Sequence, residues 1–333
     1  MIVFDLQVPE QVLEAALGSA YRSKLKILKF EFLKYRDDEP QRLGLLTLTL
    51  DTADGIKSLE VIVKESTKHE LLITSIANKL FPYNSPKVIY HELLDSKAWL
   101  LLENIKTWVD VCDRHRVNET LLDGLYEIHR VTFDNTAALI ECFDIPILTN
   151  DILYRRASSM LEEIQPLYED KLFVEVFTED IKTLLFAAKE KLKGMQDLAF
   201  PYVLAHSNYN PNSTRALQDS NGNYHVVVYD WVNSIVGWPQ TDLVILLDRL
   251  QFAAFYQGLP DPSSILLERY LEHLLGDFNV DTGMFFRLYK LCCICNALAV
   301  IRWWMRMHYK TPSQDPERAF LEIRAKFSLL QSL

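Results

Sequence analysis

The chain has 333 residues, 49% in the hydrophobic set, 11% aromatic and 24% charged, with 35 Lys+Arg against 45 Asp+Glu for a formal net charge of -10. That length carries one large domain or two lobes with a real core, and the aromatic share and scattered Pro and Gly exclude a disordered or collagen-like chain. The negative balance excludes a generic nucleic-acid binder, which neutralises phosphates with clustered Lys and Arg.

Residues 1–100 hold 13 basic and 14 acidic side chains, so -9 of the charge falls on the remainder. A ligand held there is expected to be cationic or polyhydroxylated rather than anionic. The start meets Asp5 without a basic n-region, unlike a signal peptide. The best apolar run, Leu291 to Ile301, is interrupted by Asn296 and closed by Arg302, so no membrane span and a cytoplasmic location are expected. Cys292, Cys293 and Cys295 crowd one helical segment without the spacer of a zinc site, and reduced buried thiols are expected.

In chain order, Val8 to Ala20 has helical spacing at Val12, Leu13, Ala16 and Leu17. Leu25 to Tyr35 and Leu43 to Leu50 alternate and Leu59 to Val63 is β-branched, which predicts an antiparallel meander of three strands. A helix from about Thr67 to Leu80 follows, with Thr67 and Glu70 in a capping-box pattern. Strands near Lys87 to Glu92 and Ala98 to Glu103 complete a five-stranded sheet with one inserted helix. After Glu103 helical patterns dominate: Glu119 to Phe133, Asn150 to Ile164, Thr178 to Leu192, Thr241 to Tyr256, Ser263 to Leu275, Thr282 to Tyr309 and Pro316 to Leu330. One interruption, Tyr202 to Tyr229, contains a hairpin with an Asn-Gly turn at Asn221-Gly222. The expected organisation is a β-rich lobe, 1–103, and a helical lobe, 104–333, with the hairpin at about 200–231.

Polar residues cluster at both ends of that hairpin. A carboxylate such as Asp230, closing an apolar strand, needs a metal or a basic partner. His206-Ser-Asn-Tyr-Asn-Pro-Asn-Ser213, the hairpin, Tyr229-Asp-Trp231 and Gly237-Trp-Pro-Gln-Thr-Asp-Leu243 stand in fixed order. This arrangement resembles the aminoglycoside phosphotransferase and choline kinase family, whose loop reads about H-G-D-L-H-P-G-N before a hairpin, I-D-W and a Gly-Pro-x-x-Asp-Leu turn. The resemblance covers about residues 20 to 250.

It implies an α+β, protein-kinase-like, two-lobed fold, with a small antiparallel sheet and one helix in the first lobe and a larger helical second lobe. It also implies an ATP- and Mg2+-dependent phosphotransferase acting on a hydroxyl of a small molecule such as an aminoglycoside, amino alcohol or sugar. Lys64 in Val61-Ile-Val-Lys64 stands where kinases hold the α and β phosphates, and Glu70 where its ion-pair partner stands. Glu103 and Asn104 fall in the adenine hinge and Asp230 takes the magnesium position. His129 of Leu125-Tyr-Glu-Ile-His129 is a structural feature, His206 fixes the loop, and Asp242 caps the following helix and braces that loop. The three groups Lys64, Glu70 and Asp230 should converge on one cleft.

Two positions depart from the family. The aspartate that orients the hydroxyl proton is Asn208, and the asparagine that gives a second magnesium ligand is Ser213. The turn from Arg36 to Arg42 has no glycine to approach phosphates, and Asp37, Asp38 and Glu39 need compensation from Arg36, Arg42 or magnesium. These departures support an alternative, a catalytically impaired kinase-like binding or scaffolding protein. Trp238, Tyr256, Trp303 and Trp304, with Met307, are the candidates for an acceptor wall, where aromatic faces hold a cation.

Overall fold

Apolar residues spaced by two from Leu25 onward commit the first third of the chain to a sheet with two buried faces. The computed structural model describes residues 2–3, 6–36, 42–82, 84–94, 97–105, 109–164, 180–193, 198–310 and 316–332. The acidic turn at 37–41 lies outside the described residues. The chain divides into two compact units, 1–124 with 210–234 and 125–209 with 235–333. The division differs from a break after Glu103, because residues 104–124 and the hairpin belong to the first unit.

In the first unit α1 (Glu10–Tyr21) precedes β1 (Leu25–Arg36), β2 (Leu43–Thr52) and β3 (Gly55–Thr67), and α2 (Lys68–Leu80) separates these from β4 (Val88–Leu94) and β5 (Lys97–Glu103). The strands form one antiparallel sheet in the order β1-β2-β3-β5-β4. Successive side chains of a strand point to opposite faces. Trp99 and Leu101 therefore join Leu13 and Leu17 of α1, with Leu46, Leu48, Val61 and Val63. Ala98, Leu100 and Leu102 join Leu71 of α2. Burial on both faces explains the unbroken apolar run of β5. Gly44 is needed because a Cβ there would run into the Phe32 ring and the Leu33 carbonyl, so this glycine makes room for an aromatic side chain of the sheet.

The hairpin pairs Thr214–Gln218 with Tyr224–Val228, and Leu217 and Gln218 also pair with Asp110 and Val109. Its connection is the five residues 219–223 rather than a two-residue Asn-Gly turn. Asp219 Oδ1 accepts the Asn221 and Asn223 N–H groups at 2.8 and 2.9 Å, and Gly222 takes φ 84°.

In the second unit the last turns of α3 (Arg114–Thr132) lead to α4 (Ala137–Phe143), α5 (Asn150–Ile164), α6 (Asp180–Lys193), α7 (Pro239–Tyr256), α8 (Ser263–Asp277), α9 (Thr282–Lys310) and α10 (Pro316–Ser332). Short strands Val203–Ala205 and Ile235–Gly237 pair antiparallel. Within α9, Thr282–Trp304 is long and apolar enough to cross a membrane, but 61% of its most apolar stretch is buried in the fold. It packs against α5, α7 and α10 as a core helix. Cys292, Cys293 and Cys295 on α9 are buried and reduced, whereas Cys112 and Cys142 are exposed.

Candidate active site

Lys64 lies on β3 two residues after Ile62, which packs with the α2 face of the sheet, so its side chain reaches the first turn of that helix. Thr67 caps α2 by accepting the Glu70 N–H at 3.0 Å. The return half of a capping box is not made. Instead the Glu70 carboxylate accepts from Lys64 Nζ at 2.5 Å and from Ser66 Oγ.

Asp230 follows the hairpin in a left-handed conformation, φ 64°, and opens a single 3-10 turn, Trp231–Asn233. An L-residue in that region costs about 1–3 kcal/mol, so the surrounding packing must hold it. Trp231 is 1% exposed, stacks on Phe81 at 6.2 Å and donates its indole N–H to Val228 O. His69 on α2 contacts Ser234 O at 2.8 Å. Both ends of the turn are thus tied to α2 or to the hairpin.

This aims Asp230 Oδ1 at Lys64 Nζ, 2.8 Å away. Lys64, Glu70 and Asp230 therefore meet as one cation between two carboxylates. Burial pulls the Lys64 pKa down, but Glu70 and Asp230 together outweigh it, and the net shift is upward. The Asp230 side chain is 40% exposed, and its Oδ2 has no hydrogen-bond partner among the described residues.

The other positions of this unit are engaged locally. Ser213 is buried, and its hydroxyl accepts the Asn210 N–H and donates to the Asn210 carbonyl, both at 3.2 Å. Asn104 donates to Glu60 at 2.8 Å. Glu103 ends β5, where burial raises its pKa against a lowering pull from Lys87. Arg42 is buried and pairs with Glu65 at 2.8 Å.

In the second unit the loop after Val203–Ala205 is braced by one carboxylate. Asp242, fully buried in the first turn of α7, accepts the His206 N–H at 2.6 Å and the Ser207 N–H at 2.7 Å. Trp238 holds the N-cap position of α7, so Asp242 serves the loop rather than the helix end. Behind it His129 lies 3.5 Å from Asp242 and 2.7 Å from the Tyr270 hydroxyl. Ser207 takes φ 61°, in the left-handed region that glycine adopts more readily than serine. His206 is fully buried and Asn208 is half-buried.

A cavity of about 650 Å³ opens in this unit beside Ser207 and Thr241, bounded by Ile235, Ile245, Asn296 and Arg302 among others. None of the four aromatic candidates lines it. Trp238 is buried against another cavity, of about 540 Å³, with Asn150 and Tyr202. Tyr256 packs edge-on to Phe252, Trp304 donates to Glu322, and Trp303 is 49% exposed beside Trp304. Sequence reading missed Arg155, Arg156 and Arg302, which rim the cavity. The one available signal was an adjacent arginine pair flanking the apolar face of α5, a pattern shared with any solvated helix.

No family model and no curated protein matches the sequence. Solved structures do match. A choline kinase from Cryptosporidium parvum is 12% identical over 91% of this chain and 90% of its own, with a TM-score of 0.57. The choline kinase LicA from Streptococcus pneumoniae is 14% identical over 97% and 99%, TM-score 0.51. A thermostable mutant of aminoglycoside phosphotransferase APH(4)-Ia, in complex with ADP and hygromycin B, is 11% identical over 95% and 98%, TM-score 0.52. The chain has the α+β, protein-kinase-like fold that these proteins share.

Proposed function

We propose that the chain is a phosphotransferase that moves the terminal phosphoryl group of ATP to a hydroxyl of a small molecule. The observation that carries this reading is Lys64 held between Glu70 and Asp230, at the positions where kinases clamp nucleotide phosphates. The fold supports it, since the similar structures include choline kinases and an aminoglycoside phosphotransferase with bound ADP.

The residues fit one magnesium ion rather than two. Magnesium on a nucleotide is held by one or two carboxylates together with the phosphates, and Asp230 offers for that purpose an Oδ2 that is unengaged among the described residues. Ser213 is turned to its own loop and leaves the second position poorly served. When bound, the ion neutralises charge on the transferred phosphoryl group. Lys64 orients the α and β phosphates, Glu70 fixes Lys64, and the Asp242 brace fixes the His206–Ser207 backbone before Asn208. Asn208 orients the acceptor hydroxyl without accepting its proton.

That last point favours a second reading, a nucleotide-binding protein with little or no turnover. The test measures ATP binding with and without magnesium, then ADP release over a panel of hydroxyl compounds. Magnesium-dependent binding lost in Lys64→Ala and Asp230→Ala, with turnover on at least one compound, supports the phosphotransferase. Binding without turnover selects the second reading, and no magnesium-dependent binding overturns both.

A further inference from the structure

The second unit is acidic as a whole, yet among the described residues its 650 Å³ cavity is lined by Arg155, Arg156 and Arg302 and by no aspartate or glutamate. We propose that this cavity binds a hydroxylated organic oxyanion, a carboxylate or phosphate ester, as the acceptor. The inference rests on the phosphotransferase reading for the word acceptor, but not for the chemistry of binding.

Partners of the arginines leave positive charge over. Arg302 and Arg306 share the single carboxylate of Glu163, at 2.7 and 2.8 Å. Arg155 is paired with Asp151 at 2.5 Å, both well exposed, so that pair is screened by solvent and holds the guanidinium weakly. Arg156 is exposed at the rim and forms no ion pair among the described residues. Among the described residues, the three lining guanidinium groups and Arg306 thus have two carboxylate partners, Asp151 and Glu163.

The rest of the described lining adds no compensating anion. Cys292 and Cys295 are kept as neutral thiols because burial raises both pKa values, that of Cys295 to about 12. Asp248 lies behind Asn296, which donates to it at 3.1 Å, and is neutralised by the buried Lys326. Asp242 is fully buried, with both oxygens taken by the loop N–H groups. Ser207 supplies a neutral donor, since the residue lines the cavity and its buried hydroxyl has no hydrogen-bond partner among the described residues.

A cationic amine placed here would meet like charge and, among the described lining residues, no carboxylate. A planar or tetrahedral oxyanion would meet guanidinium forks, which match it with paired hydrogen bonds. The volume lies within the ordinary range for a small-molecule site, and the apolar part of the wall, with Leu148, Leu153, Met160 and Ala299, excludes water from one side of the ligand.

The test titrates the purified full chain, without nucleotide, with glycerate, gluconate and glycerol phosphate, and in parallel with glycerol, choline and ethanolamine. Binding is expected for at least one oxyanion and to weaken with added salt, with no binding of the amines. Arg156 has no ion pair to lose among the described residues, so Arg156→Glu should fold as wild type by circular dichroism while weakening oxyanion binding at least about tenfold, and Arg156→Lys should recover part of it. A carboxylate and a phosphate ester are separated by which compounds bind. Binding of choline or ethanolamine in preference, binding of neither class, or unchanged oxyanion affinity in folded Arg156→Glu overturns the proposal. Magnesium-ATP binding is measured on the same samples. Its absence alongside oxyanion binding sinks the phosphotransferase reading and leaves the oxyanion site standing.

Discussion

Lys64 and Asp230 stand 166 residues apart in the chain, and the Lys64 ammonium lies 2.8 Å from the Asp230 carboxylate. Glu70 holds the same ammonium from the other side and is itself only 3% exposed. Removing the lysine would leave Glu70 as a buried charge without compensation, and breaking a buried pair in this way costs about 3–5 kcal/mol. Lys64→Met is expected to lose that much stability in chemical denaturation and to lose nucleotide binding. Adding Glu70→Leu should restore most of the stability and none of the binding. If the double variant is no more stable than the single one, the Glu70 charge is not what the lysine compensates.

The same ammonium gives a pH signature. Its pKa is raised above 10.5 in the folded chain because Glu70 and Asp230 outweigh burial. The stabilisation is therefore fully present below the ordinary lysine pKa and lost as pH rises through the elevated folded value. The stability gap between wild type and Lys64→Met should stay level from neutral pH to about pH 10 and narrow above it. A gap that stays constant to strongly alkaline pH would remove Lys64 as the titrating group.

Asp219 acts in the opposite range. Burial opposes its ionisation, but hydrogen bonds from Asn223, His225 and the Asn221 backbone prevail and lower its pKa to about 2. Its contribution is present above the ordinary aspartate pKa and lost as pH falls through the folded value. Replacing it, Asp219→Ala, should lower the melting temperature by an amount that is constant above about pH 5 and shrinks toward zero near pH 2. Thermal melts of both proteins across that range measure it.

Much of this arrangement is legible in the sequence because it is carried by local pattern. The alternation in β1 and β2, the helical spacing of the long helices and the order of His206, Asp230 and Asp242 along the chain are all short-range signals. The rest depends on partners distant in sequence. That the hairpin groups with the first unit follows from Leu217 and Gln218 pairing with Asp110 and Val109 across about a hundred residues. The strands Val203–Ala205 and Ile235–Gly237 are too short to show a period, and α4 spans barely two turns. Left-handed backbone at Ser207 leaves no mark in residue type, and at Asp230 an aspartate tolerates that region without announcing it. The arginines at the cavity were invisible for a different reason, because a charged residue on an exposed helix face is ordinarily a solvated one.

The Asp242 brace predicts a loss larger than one hydrogen bond. Its two oxygens satisfy the buried His206 N–H and the part-buried Ser207 N–H, and Asp242 itself is fully buried. Stranding a buried donor costs about 1–3 kcal/mol, so Asp242→Ala should lose about 3–5 kcal/mol, and Asp242→Asn somewhat less. Ser207→Gly should instead gain about 1 kcal/mol, because glycine relieves the φ of 61°. Denaturation midpoints for the three variants check both signs, and a stabilised Asp242→Ala would show that the loop does not need its brace.

Asn208 decides how far phosphoryl transfer has been retained. An amide orients a hydroxyl but takes no proton from it, and a positioned general base contributes about 100- to 10,000-fold in rate. On the phosphotransferase reading Asn208→Asp should raise turnover by about 100-fold or more. It should also add an acid limb to the pH–rate profile, as the new carboxylate must be ionised to act. The substitution removes no ion pair, and magnesium-ATP affinity should change little. Turnover raised without the acid limb would mean that charge near the acceptor, rather than proton transfer, is what the loop lacks. Turnover absent in both forms, with nucleotide binding intact, would identify the chain as a binding protein whose loop has been remodelled beyond a single residue.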